Sequence, residues 1–209
     1  FDLLIAGGDQ VWNIRCRDHD DAYYLNFAQG VRKVAYSPSL GAQNVNEVAN
    51  NPSVYREYLK DFEQLSVREK NGQKWLQQLT GQEIPIVADP TLLLTSEEWS
   101  SWLPVEDIKE DYIFNYAFYH DRPETNKAIQ AIAKKVGMPV YTIDFKSWAV
   151  CKLDQFGIHK YKSAGPIAML SLMKNAKLVL TQSFHGTLFA ALFKRTFWSY
   201  HNPIIGNIN

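Results

Sequence analysis

The chain has 209 residues, 46% of them hydrophobic, enough for a real core in one large or two small domains. Lysine plus arginine and aspartate plus glutamate balance at 22 each, so there is no global pull toward nucleic acid or anionic membrane, and any anion site must be local. Cys16 and Cys151 alone argue against a disulfide framework or a cysteine-based metal centre and fit a reducing, cytoplasmic compartment, while no apolar stretch approaches a membrane span and only peripheral membrane contact stays open.

No signal peptide begins the chain. Phe1 opens directly onto a strand-like run and "IIGNIN" ends without a closing element, so the sequence reads as an excerpt. The first strand is expected over 2–6 ("DLLIA") and runs into "GGDQVWN". Gly7 and Gly8 permit a tight turn there, while Asp9, Gln10, Trp12 and Asn13 supply polar and stacking groups; a simple turn and a site loop both fit. "KVAYS" (33–37) is the second strand, followed by Ser37, Ser39 and Gly41 as hydroxyl and backbone donors or as an ordinary turn. Helices with inward Tyr55, Leu59 and Phe62, then Trp75, Leu76 and Leu79, bracket a third strand, "QLSVR" (64–68), with Gly81 as a helix stop. "PIVAD" (85–89) is the fourth; all four are short and apolar, as buried parallel strands are. Arg68 should therefore sit at the sheet's carboxyl edge, as an anion ligand or in a structural ion pair, and Asp89 should brace the "ADPT" turn.

Residues 96–111 read as a short helix and linker, placing a domain boundary at 103/104. A second α/β series follows: strand 112–119, helix 123–137 with Ile129 and Ile132 inward, strand 139–145, a poorly patterned stretch, then helix 165–176 with Pro166 in its first turn. "KLVLT" (177–181), a turn around His185, a helix over 186–193 and a strand at "TFWSY" complete it. Ser183 suits an N-cap, and Gly186 would let a ligand or backbone approach, leaving the N–H groups near 185–187 facing outward as an anion site. A hydrogen-bonded core histidine is the competing account of His185. The pattern predicts an α/β fold with parallel sheets, as two Rossmann-like units, 1–103 and 104–209, sharing a cleft.

Taken in order, "DLLIAGGDQVWN", "VAYSPSLG", "LSVREKNG", "VADPTLLLTSEEW" and "GPIAMLSLMKNAKLVLTQSFHGTLFAALF" resemble the polysaccharide pyruvyl transferases over nearly the whole chain. Residues 142–162 do not align, and the family's glycine-containing turn before the first strand is absent. The resemblance implies a GT-B-like fold with facing halves and transfer of a pyruvyl group from phosphoenolpyruvate to sugar hydroxyls of a glycan or lipid-linked precursor, producing a pyruvate ketal. Phosphoenolpyruvate is then a co-substrate, and no other cofactor, metal or nucleic acid is implied. Arg68 and His185 become the donor-binding pair, assisted by Ser183, Gly186, Ser37 and Gly8, with His185 holding phosphate or donating a proton. Asp9 is the candidate base, and Trp12 and Asn13 the acceptor contacts, Trp12 stacking on a sugar face. Two other functions fit an excerpt of this kind: a nucleotide-sugar glycosyltransferase, whose E-x7-E spacing Glu98 and Glu106 match only by coincidence, since they lie in the linker with Pro104 between them, and an inactive glycan-binding module.

Overall fold

A computed structural model describes residues 1–104 and 108–200, arranged as two compact units, Phe1–Leu93 and Leu94–Asn209. In the first, β1 (Leu3–Gly7) pairs in parallel with β2 (Arg32–Tyr36), from Leu3 opposite Arg32 to Gly7 opposite Tyr36. The segment 64–68 continues this sheet: Ala35 N donates to Gln64 O (2.9 Å), and Ser66 N to Ala35 O (3.1 Å). Segment 85–87 follows, with Val67 N on Pro85 O and Val87 N on Val67 O, both 3.0 Å. Both were expected as full strands, yet each is held by isolated parallel bridges.

Helices α1 (Val45–Val48), α2 (Pro52–Lys60) and α3 (Lys70–Thr80) lie between these segments. Asn51 caps α2 by accepting from Ser53 N, and Gly81 ends α3 in the left-handed conformation, as its position after the last apolar residue predicts. Their inner faces put Leu59, Leu76 and Leu79 into a core with Trp12, Tyr24, Leu40 and Val67. The expectation of strands buried on both faces fails for β1, where Leu3 and Ile5 are 39% and 62% exposed. Only the face carrying Ala6 meets that core.

The second unit begins with α4 (Ser96–Ser101), which places the division before the 103/104 boundary read from the sequence. Trp99 of α4 packs edge-on against Phe189, 5.3 Å between ring centres, so this helix belongs to the second core. Thr95 and Glu98 form a reciprocal capping box: Thr95 N donates to the Glu98 carboxylate (2.7 Å) and Glu98 N to the Thr95 hydroxyl (3.2 Å). That bond holds the Glu98 carboxyl below its ordinary pKa. Glu98 is thus occupied with starting a helix; Glu106, the other member of the E-x7-E spacing, lies outside the described residues.

Five parallel strands follow, β3 (Ile113–Tyr116), β4 (Val140–Thr142), β5 (Ile158–Lys160), β6 (Leu178–Thr181) and β7 (Thr196–Ser199), in the order β5-β4-β3-β6-β7. Alternate β3 residues point to opposite faces, Phe114 into a core under α7 (Pro166–Asn175) and α8 (Phe184–Leu192), Ile113 into one under α5 (Pro123–Val136). Helices on both faces of a parallel sheet make this unit doubly wound. The poorly patterned stretch contains α6 (Phe145–Val150), a 3-10 turn at Leu153–Phe156 and β5. The strand expected over 139–145 stops at Thr142 because Asp144 caps α6, accepting from Ser147 N at 2.9 Å. β5 escaped the pattern because His159 and Lys160 are exposed on a three-residue edge strand.

Candidate active site

Ligands of doubly wound sheets bind beyond the carboxyl ends of the strands, and in the first unit the loops at those ends are tied together. Ser39 N donates to Asp9 O (2.8 Å), Trp12 N to Ser39 O (3.2 Å) and Arg68 N to Pro38 O (3.2 Å). Gly8 has a φ of +84°, and a Cβ there would stand 3.0 Å from Pro90 Cγ, so the β1 turn closes against the turn after Asp89. A Cβ on Gly7 would strike the Tyr36 carbonyl, which explains the glycine pair by strand packing as well as by turn geometry. Gly8, Asp9, Ser37, Arg68 and Asp89 therefore share one sheet edge.

Arg68 stands where its strand position predicts, with a side chain 7% exposed. Its Nη1 donates to Asp89 Oδ2 (3.0 Å) and its Nε to Glu69 Oε1 (2.7 Å). Asp89 also braces its turn, accepting from Thr91 N (3.0 Å) and Thr91 Oγ1 (2.8 Å). The guanidinium thus faces two carboxylates, one of them, Asp89, almost wholly buried. Ser37 is unusual in two ways. It is a non-glycine residue at φ 58°, and its fully buried hydroxyl has no hydrogen-bond partner, although its N–H donates to Ser66 Oγ (3.1 Å). Strain and an orphaned polar atom coinciding at a strand end are features of functional sites.

Two expected acceptor contacts are differently employed. Trp12 is 1% exposed, stacked on Tyr24 at 5.2 Å with rings parallel, and its indole N–H donates to Tyr23 O (3.2 Å). The sugar-stacking role is corrected: its faces are covered by core aromatics. Asn13 donates through Nδ2 to Gln10 Oε1 (2.8 Å) and accepts from Arg15 N (3.1 Å), which holds the turn. Asp9 is exposed and accepts from Gln10 N (2.7 Å).

In the second unit, His185 lies in the first turn of α8, at the carboxyl end of β6, and is half-buried rather than a core residue. The helix begins at Phe184, earlier than the expected start at 186, because Ser183 caps it. Ser183 Oγ accepts from Gly186 N (3.2 Å) and Ser183 O from Thr187 N (2.9 Å). The expectation of outward N–H groups near 185–187 is thereby corrected at 186 and 187, where Ser183 engages both. Gly186 is also turned inward. A Cβ on it would clash with Thr181 Oγ1 and stand 2.8 Å from Tyr116 Cδ1, so its smallness serves the approach of α8 to β3 and β6. The Gln182 amide exchanges bonds with the backbone of Tyr119, fixing the loop after β3 beside this turn.

That loop holds a residue the sequence reading passed over. His120 is 3% exposed and neither ring nitrogen has a well-aligned partner. Burial holds its pKa below the usual histidine range, against the opposing pulls of Asp144, the Ala117 carbonyl and Asp121. Asn126 Nδ2 donates to His120 O (2.9 Å), leaving Asn126 Oδ1 buried and unpaired. The signal was available: "FYHD" follows a strand, as Asp9 and Arg68 do. Among the described residues no group of three or more His, Cys, Asp or Glu is arranged to hold a metal.

Residues 1–200 match the family described as polysaccharide pyruvyl transferase. No curated protein matches the chain. Among solved structures, UDP-GlcNAc 2-epimerase from Neisseria meningitidis bound to UDP-GlcNAc is similar at a TM-score of 0.57 and 12% identity, over 95% of this chain and 58% of that one. The E. coli heptosyltransferase WaaC with ADP-2-deoxy-2-fluoro heptose is similar at a TM-score of 0.50 and 13% identity, over 97% and 62%. These likenesses show a GT-B-like α/β fold. The chain spans about three fifths of the length of either structure.

Proposed function

Because the chain belongs to the polysaccharide pyruvyl transferase family, we propose that it moves a pyruvyl group from phosphoenolpyruvate to sugar hydroxyls of a polysaccharide or its precursor, forming a pyruvate ketal and releasing phosphate. The observation that carries this reading is the family match over residues 1–200, which takes in both "SVRE" and "SFHG". The half-buried position of His185 on a helix N-terminal turn supports it, because a helix start favours negative charge.

In this reaction a proton adds to the methylene carbon of phosphoenolpyruvate, a sugar hydroxyl attacks the resulting oxocarbenium carbon and passes its proton to a base. The carbon–oxygen bond to phosphate breaks, and a second hydroxyl closes the ketal. His185 holds the phosphate or delivers the first proton, and Asp9, exposed beyond β1, is the candidate base. Arg68 orients the donor carboxylate by exchanging one of its present partners. Glu69, with a side chain 33% exposed, gives way more easily than the buried Asp89. Ser37 supplies its unpaired hydroxyl, and Gly8 the close backbone approach. The reading places the enzyme in the cytoplasm, acting on a glycan or lipid-linked acceptor. No helix among the described residues is long and apolar enough to cross a membrane.

Phosphate release from phosphoenolpyruvate, assayed with galactose-, mannose- and hexosamine-containing acceptors, tests this. His185→Ala is expected to abolish release while the protein stays folded, and undiminished release would refute the assignment. The likeness to a heptosyltransferase keeps nucleotide-sugar transfer as the second reading. Calorimetric binding of a nucleotide sugar, with no response to phosphoenolpyruvate, would favour it.

A further inference from the structure

We propose that a polar groove on the first unit, built around Asp21, Arg15 and Tyr55, binds a pyranose ring of the acceptor glycan. The groove has a volume of about 360 Å³ and is lined by Arg15, Asp21, Asn50, Asn51, Val54 and Tyr55 among others. That is the lower end of the range for small-molecule sites, roughly 300–1,000 Å³. Its walls come from the connections that leave the carboxyl ends of β1 and β2, with the first residues of α2.

The lining chemistry selects the ligand. A guanidinium, a carboxylate and two side-chain amides can donate to and accept from vicinal hydroxyls, while a tyrosine ring offers an apolar face to sugar C–H groups. A phosphodiester or free phosphate would meet the Asp21 carboxylate, and a lipid chain would meet the charges of Arg15 and Asp21.

Asp21 is held in place before any ligand arrives. One of its oxygens lies 3.3 Å from His19 Nε2, and the other accepts from Tyr58 OH (3.2 Å). Its side chain nevertheless stays 42% exposed, whereas that of His19 is 15% exposed. Tyr55 belongs to an aromatic layer: Trp12 stacks on Tyr24 at 5.2 Å, and Tyr24 meets Tyr55 at 5.2 Å. The tryptophan expected to touch the sugar therefore supports, from the core, the layer whose outer ring does so. Burial and the nearby Asp21 charge raise the Tyr55 pKa still further above neutrality.

The choice of a saccharide rests on the pyruvyl-transfer reading, so binding is measured without phosphoenolpyruvate. The full chain is titrated calorimetrically with galactose-, mannose- and N-acetylhexosamine-containing oligosaccharides, alongside Asp21→Asn, Arg15→Ala and the exposed control Glu83→Gln. At least one oligosaccharide is expected to bind, with Kd weakened about tenfold or more by loss of a charged hydrogen-bonding group at either groove position and unchanged in the control. Asn50→Ala, an exposed position, keeps the test open should Asp21→Asn unfold the chain, and it too should weaken binding. Absence of binding at millimolar oligosaccharide, or equal binding by folded groove variants and wild type, would overturn the proposal. Groove-dependent glycan binding without phosphate release in the separate assay would sustain the groove and refute pyruvyl transfer.

Discussion

Replacing Gly186 by alanine separates two explanations of the "SFHG" motif, close packing of α8 or close approach of a ligand. The new Cβ would stand 2.8 Å from Tyr116 Cδ1 and 3.2 Å from Ser183 Cβ, and would overlap Thr181 Oγ1. Favourable carbon–carbon contact begins at about 3.5 Å. Thr181 cannot turn away without loss, because its hydroxyl donates to Tyr116 O (2.8 Å) and accepts from Ser183 N (3.0 Å). Overpacking costs about 1–3 kcal/mol, and loss of one such bond adds about 1 kcal/mol. Alanine's helix propensity offsets up to about 1 kcal/mol of this. A net loss of about 2 kcal/mol lowers Tm by roughly 8 °C, at about 4 °C per kcal/mol for a unit of this size. Thermal unfolding followed by circular dichroism measures the shift. A Tm within about 2 °C of wild type, together with lost donor binding, would refute the packing argument and return Gly186 to a ligand role.

Trp12→Ala should cost about 3–5 kcal/mol in urea denaturation, the usual range for truncating a buried aromatic; a stable variant with impaired glycan binding would restore Trp12 as an exposed stacking residue. Ser37→Ala removes an unpaired buried hydroxyl, whose burial costs about 1–3 kcal/mol, so its Tm should match or exceed wild type while phosphoenolpyruvate affinity falls. A lower Tm would reveal a structural bond to that hydroxyl. His120 titrates below its ordinary value of 6.5 in the folded chain, so as pH falls below about 6.5 the unfolded state takes up its proton first. Its contribution to stability is fully present above that pH and is lost as pH falls through the lower folded pKa; the acid side of a stability–pH profile should flatten in His120→Gln, and an unchanged slope would exclude this histidine as a source.

Local signals were legible because neighbouring residues enforce them. Ser183 could be recognised as a cap, Gly81 as a helix stop and Arg68 as the end of an apolar run, since each depends on a few residues of adjacent chain. The α/β alternation and the parallel sheets followed from the same local periodicity. The sequence offered Trp12 as a stacking group of a turn or site loop, and its burial was not legible there because it depends on Tyr24 and Phe62 reaching it from distant turns. The place of His120 after a strand was legible, but its buried, poorly paired ring was not, because that arises where the loop after β3 meets the start of α5.

By itself, then, the sequence determined the parallel α/β class, the family and the strand ends at which polar residues gather. Tertiary structure decided which of those residues face solvent and which are already engaged. Arg68 meets Asp89 from a different strand, Gly186 faces Thr181 and Tyr116, and the groove around Asp21 draws on three separate segments. The physical reason is that helix and strand patterns are set by steric and hydrogen-bonding preferences over a few residues. Burial, ion pairing and cavity shape depend on distances between residues that only the folded chain brings near one another.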